Sequence, residues 1–201
     1  MRSVLPIILL LVGFSSNAQN GDINLLKKIN GTYTENGGNV FRFVTNTDTP
    51  VALGLPAGLI TVGLVKKNNK LVFNGLESFS AQALSGVITM SLKLGVERER
   101  PFVTYPNDIQ KHAAAGSYSF PSGHTSMAFA TATSISLEYP KWYVIAPAYL
   151  WASGVGFSRM YLGVHYPSDV LTGALIGAGS SLIAHYALKK IKEKWVKKEK
   201  M

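Results

Sequence analysis

Phe157-Ser158-Arg159-Met160-Tyr161-Leu162-Gly163-Val164-His165-Tyr166-Pro167-Ser168-Asp169 is a polar stretch set between two apolar ones, Tyr143 to Phe157 and Val170 to Leu188. His165 precedes Asp169 by four residues with Pro167 between them, a spacing that predicts a histidine on a turn and an aspartate near a helix start. An aspartate hydrogen-bonded to one ring nitrogen fixes the tautomer and leaves the other nitrogen as a directed nucleophile or base. Arg159 adds a rigid fork suited to phosphate oxygens. Taken alone, the same residues also fit a surface His–Asp pair without chemistry.

Working outward, three further apolar segments precede these two: Val51 to Val65, Phe79 to Val96 and Ser122 to Leu137. All are rich in Ala, Gly, Ser or Thr, which lets helices in a membrane bundle approach closely. The expected fold is therefore all-α, a helical bundle with five or six transmembrane spans once an N-terminal segment is included. A soluble helical domain with the same segments buried is the alternative. Composition favours the membrane: 47% of residues are hydrophobic and 15% charged, against a charged share of roughly 25% in soluble domains. With 201 residues the chain suits one domain, and with no cysteine it holds neither a disulfide nor a thiolate metal site.

The N-terminus has Arg2, an apolar run from Val4 to Phe14, and Ser16 and Ala18 at signal-peptidase spacing, so residues 1–18 read as a signal peptide or signal anchor. Residues 19–49 are polar and read as an extracytoplasmic loop or small cap with no evident chemistry. Residues 50–188 form the bundle, and 189–201 a basic tail with seven Lys and two Glu. Following the chain inward and outward, Lys66, Lys67 and Lys70 fall on the same side as the tail, as the positive-inside rule requires of a cytoplasmic face. The net charge of +9 thus marks membrane orientation; no nucleic-acid-binding motif accompanies it. The polar turns 97–121 and 158–169 fall together on the opposite, extracytoplasmic side.

Two more clusters lie there. In Lys93-Leu94-Gly95-Val96-Glu97-Arg98-Glu99-Arg100-Pro101, Lys93 and Arg100 are seven residues apart and share a helical face, with Pro101 expected to end the helix. A lysine inside an apolar segment is costly unless an anion meets it; Glu97, four residues on, is the structural alternative partner. In Phe120-Pro121-Ser122-Gly123-His124-Thr125-Ser126, a Pro-Ser-Gly helix start offers free amides to an anion, with His124 in the first turn as a candidate proton donor; taken alone, the stretch fits an ordinary capped helix start with an incidental histidine better. Together the clusters hold cations, a nucleophile and an acid, the inventory of phosphoryl transfer. No divalent-metal site is legible, because the acidic residues do not cluster with histidines along the chain.

The order Lys93-x6-Arg100-Pro101, Pro121-Ser122-Gly123-His124, Ser158-Arg159-x5-His165-x3-Asp169 resembles the type 2 phosphatidic acid phosphatase superfamily, which also includes bacterial acid phosphatases and vanadium haloperoxidases. The likeness extends over roughly residues 50 to 188 and matches each defining position. It implies a helical bundle with the site at one end. Carried over, His165 attacks phosphorus to form a phosphohistidine, Asp169 orients it, and His124 protonates the leaving oxygen. Lys93, Arg100, Arg159, Ser122 and the Gly123 amide bind the phosphoryl oxygens, with no metal and no cofactor. Expected substrates are lipid phosphates or diphosphates at the periplasmic face of a bacterial inner membrane. A soluble periplasmic acid phosphatase, a haloperoxidase and a non-enzymatic membrane protein are the alternatives.

Overall fold

The structure is a computed structural model and describes residues 17–198. The expected signal or anchor segment falls almost wholly outside the described residues. Among these, eight helices and no strand occur: α1 Asn17–Asn30, α2 Glu35–Asn46, α3 Asp48–Val65, α4 Asn69–Val96, α5 Pro101–Thr104, α6 Gly123–Glu138, α7 Trp142–Tyr161 and α8 Pro167–Lys198. The chain is all-α, as its segment pattern indicated. The polar segment 19–49 is largely helical, forming α1, α2 and the start of α3. Residues 189–198 of the basic tail continue α8 without a break.

Local chemistry sets the ends. Between α3 and α4, Lys67 takes a left-handed φ of 52° and the Asn68 side chain accepts from the Leu71 amide at 3.2 Å, capping α4. At its other end α4 stops at Val96, where Glu97 turns left-handed with φ 51°. The helix thus ends before Pro101, and the expectation of one helical face for Lys93 and Arg100 is corrected. Arg100 lies beyond the helix in an extended conformation (φ −78°, ψ 151°), the region a following proline favours, and Pro101 opens α5 instead.

At the centre, α6 packs on α4, α7 and α8. Its inward residues are small: Ala128, Ala130, Ala132, Thr125 and Ser126 are all buried. The approach of α8 to α6 requires glycine, because a Cβ at Gly177 would lie 2.1 Å from the Ser126 carbonyl oxygen. Buried hydroxyls and amides stitch the contacts: Ser181 Oγ donates to Ala130 O (2.7 Å), Gln82 Nε2 to Thr131 Oγ1 (3.3 Å), and Thr89 and Ser126 share a 3.0 Å bond. Such interhelical bonds contribute about 0.6 kcal/mol each in membrane proteins.

The large apolar side chains point the other way. Leu64, Val87, Met90, Leu150, Leu175 and Ile183 are exposed on the outer faces of α3, α4, α7 and α8. A polar, small-residue interior inside an apolar shell inverts the pattern of a water-soluble domain, which rarely exposes large contiguous apolar patches. By length and composition, the segments Glu35–Val65 (mean hydropathy 1.5) and Pro167–Glu193 (1.3) can cross a membrane. Each of the other apolar segments forms a helix, but these two alone among the described residues meet that measure.

The antiparallel run of the helices puts the α3–α4 turn, the α6–α7 turn and the end of α8 at one end of the bundle. The Lys-rich positions gather there. The start of α6 and the α7–α8 turn lie at the other end, covered by α1. Ile23 and Leu26 of α1 pack with Ile109 and Tyr166, a cluster widened by Phe102, Tyr105 and Met160.

Candidate active site

The α7–α8 turn carries His165, and its shape depends on Gly163. That residue has φ +71°, and a Cβ there would meet the Gln110 carbonyl oxygen at 2.2 Å. Asn30 of α1 braces the same spot: its Nδ2 donates to Tyr161 O (3.0 Å) and Gln110 O (3.2 Å), and its Oδ1 accepts from Gln110 N (2.9 Å). The turn then delivers His165, 2% exposed, next to the fully buried Asp169 of the first turn of α8.

His165 Nδ1 lies 3.3 Å from Asp169 Oδ2, and Nε2 lies 3.3 Å from Arg100 Nη1. With Asp169 accepting from Nδ1–H, the Nε2 lone pair faces the cations. Burial pushes the His165 imidazole down to about 4, with Asp169 opposing, so the ring is neutral at ordinary pH. Asp169 is held from several sides. Oδ2 also accepts from Ser119 Oγ and the Tyr166 amide (2.9 Å), and Oδ1 pairs with Arg98 Nη1 at 2.8 Å.

The cations converge from three elements. Lys93, in the last turn of α4, donates to the carbonyls of Tyr118 (2.6 Å) and Ser119 (3.4 Å) rather than pairing with Glu97. Arg100 donates to Ser117 O (2.7 Å) and Val164 O (2.8 Å), which locks the guanidinium against the turn. Arg159, 3% exposed at the end of α7, donates to Thr45 Oγ1 at 2.9 Å, while its buried Nε has no partner among the described residues. Ser122 caps α6 by position, yet its hydroxyl bonds Thr125 Oγ1 (2.8 Å) and not a backbone amide. The first-turn amides of α6, from Gly123 onward, therefore lack a side-chain cap and remain an anion-binding end. His124, half-buried in that turn, lies within electrostatic reach of Arg159, His165, Arg100 and Lys93.

All eight residues singled out in the sequence thus gather at one end of the bundle. The structure adds others. Arg98 bridges Asp169 and Asp22 of α1 (2.8 Å to each) and lies over the Tyr166 ring, 3.7 Å from its centroid. Asp22 also accepts from Ser168 N at 2.8 Å and from the Ser168 hydroxyl. Thr45 meets Arg159, and the buried Asp48 lies in its field. Arg98 stood in a quoted stretch without a spacing to mark it; Asp22, Thr45 and Asp48 had no local signal at all.

Residues 75–193 match the PAP2 superfamily, well over half the chain and every residue of this site from Lys93 to Asp169. The chain belongs to the PAP2 superfamily. Among PAP2 relatives, it is 34% identical over 143 residues to the bacitracin transport permease protein BcrC of Bacillus licheniformis, covering 68% of this chain and 66% of that protein. It is 40% identical over 67 residues to the undecaprenyl-diphosphatase of Sulfolobus acidocaldarius, covering 33% of this chain and 32% of that one. The chain therefore spans just under two thirds of the first relative and about a third of the second. The crystal structure of a transmembrane PAP2 type phosphatidylglycerolphosphate phosphatase from Bacillus subtilis superposes with a TM-score of 0.74 at 26% identity, over 93% of this chain and 94% of that one.

Proposed function

We propose that this PAP2 protein is a membrane-embedded phosphatase that hydrolyses a lipid phosphate or diphosphate through a phosphohistidine intermediate. The observation that carries the reading is the orientation of His165: Nδ1 against Asp169, Nε2 toward Arg100. In the first step the Nε2 lone pair attacks phosphorus, the bond from phosphorus to the leaving oxygen breaks, and His124 gives that oxygen a proton. In the second, His124 takes a proton from water as its oxygen attacks phosphorus and the P–N bond breaks. Lys93, Arg100, Arg159, Ser122 and the Gly123 amide hold the phosphoryl oxygens. Fixed cations of this kind supply the charge stabilisation that a metal supplies elsewhere.

The lipid substrate class rests on the apolar outer shell, the two segments able to cross a membrane, and the names of the relatives. Undecaprenyl diphosphate, phosphatidylglycerol phosphate, phosphatidic acid and lipid A phosphate are the candidates. The lysines gathered at the far end support a periplasmic-facing catalytic end in an inner membrane, by the positive-inside rule.

The test is phosphate release by the purified full-length protein in detergent from these four lipids, in excess chelator and against water-soluble phosphomonoesters. Release from at least one lipid, unaffected by chelator and inhibited by vanadate, is expected. Preference for soluble esters would replace the lipid reading with an acid phosphatase. A reporter fused after Met201 that is active only in the periplasm would reverse the orientation.

A further inference from the structure

At the end of the bundle away from His165, ionisable side chains from three helices meet in the interior. Glu77 of α4, Glu138 at the end of α6, and His185 and Lys192 of α8 form the group. The Glu77 side chain is 2% exposed and that of Glu138 5%. His185 Nδ1 lies 2.6 Å from Glu77 Oε1 and 3.9 Å from Glu138 Oε1. Lys192 Nζ is 3.3 Å from Glu77 Oε2 and also donates to Glu138. Because these residues are far apart in the chain, the sequence showed no carboxylates clustered with a histidine; the folded bundle makes such a cluster. It lies about 21 Å from His124 along α6, at roughly 1.5 Å per residue, and plays no part in the phosphate site.

Two features point to a ligand. One is geometry and charge. One ligand atom from each of Glu77, Glu138 and His185 lies within 4.8 Å of the others, the spread of donors around a single ion. Lys192 bridges both carboxylates, and a divalent cation in its place would match the charge of the pair. The second feature is Asn74, 1% exposed and one turn before Glu77 on the same face of α4. Its Nδ2 donates to the hydroxyl of Tyr139, the residue after Glu138, at 3.4 Å. The carboxamide is thereby held between the helices that carry the two glutamates, and its buried Oδ1 has no donor among the described residues.

We propose that Glu77, Glu138 and His185 form a binding site for a divalent transition-metal ion of the zinc class, in which Lys192 is the resident cation that the metal displaces. Two carboxylate oxygens and an imidazole nitrogen suit zinc over magnesium or calcium, which prefer all-oxygen shells. Asn74, with its unpartnered Oδ1 one turn before Glu77, is a further oxygen donor on the same face of α4. Bound there, the metal ties α4, α6 and α8 together at the end opposite the catalytic one. The proposal stands independently of the phosphatase reading.

The test is titration of metal-stripped full-length protein in detergent with Zn²⁺ by calorimetry, with thermal unfolding in parallel. Wild type should bind one equivalent and gain Tm. Glu77→Gln and His185→Ala should weaken binding by roughly tenfold or more, the loss that even outer hydrogen-bond partners cause in metal sites. Lys192→Met should unfold at lower temperature than wild type without metal, bind Zn²⁺ more tightly, and recover its Tm when Zn²⁺ is added. An ion-pair lock without a metal role makes the opposite forecast for this variant: Tm falls and zinc does not restore it. That result, or zinc binding undiminished in Glu77→Gln and His185→Ala, overturns the proposal.

Discussion

Arg98 and Asp169 are paired at 2.8 Å through a carboxylate oxygen that His165 does not use. The other guanidinium nitrogen holds Asp22 at 2.8 Å, so a carboxylate on α1 fixes the arginine that fixes the aspartate beside His165. Removing one partner of such a buried pair leaves the other charge uncompensated, at about 3–5 kcal/mol. Arg98→Ala is expected to lower kcat on the order of 10²-fold through misplacement of His165, with a smaller change in KM. Asp22→Asn should lower kcat less, since Arg98 keeps Asp169. Steady-state kinetics on the two variants would contradict this if Arg98→Ala raised KM and left kcat intact.

The two histidines should separate by leaving group. His165→Ala removes the proposed nucleophile and should be inactive toward every substrate. His124→Ala should lose ~10²–10⁴-fold on alkyl or lipid phosphates, yet retain turnover on p-nitrophenyl phosphate, whose leaving group needs no proton. Acid-quenched trapping of labelled phosphoenzyme decides the assignment. Label in His165→Ala and none in His124→Ala would exchange the roles.

The pH profile follows from burial. His165 is held at about 4, below its ordinary value, because burial disfavours the charged ring more than Asp169 favours it. A nucleophilic imidazole is neutral, so the proposed attack is available above that value and lost as pH falls through it. The acid limb of kcat/KM should therefore lie near pH 4 and not near the ~6.5 of an exposed histidine. The measurement is the wild-type pH profile of kcat/KM, and an acid limb at 6 or above would refute the forecast.

Gly163→Ala should damage both stability and catalysis. The left-handed φ of +71° costs an alanine about 1–2 kcal/mol, and the clash of its Cβ with Gln110 O adds to that. The relief available is movement of the α7–α8 turn, which carries His165. A lower Tm accompanied by reduced kcat is expected; unchanged values for both would show that the turn tolerates an ordinary residue.

The sequence by itself determined the helical class, the approximate position of each apolar segment, and the eight residues from Lys93 to Asp169 that meet at one end. Those residues were legible because each cluster is local: a proline, a glycine and a charged side chain within a few positions define a turn or a helix start. Tertiary structure decided what depends on contacts between distant segments. Asp22 reaches Arg98, Thr45 reaches Arg159, and His185 reaches Glu77 across 108 residues. No short pattern encodes such meetings. The end of α4 at Val96 also escaped the sequence, because the left-handed turn at Glu97 is a conformation that a glutamate does not announce. Nor could the rotation of each helix be read: apolar side chains face outward and small residues inward, so both faces look hydrophobic, and only packing around α6 selects which one turns in.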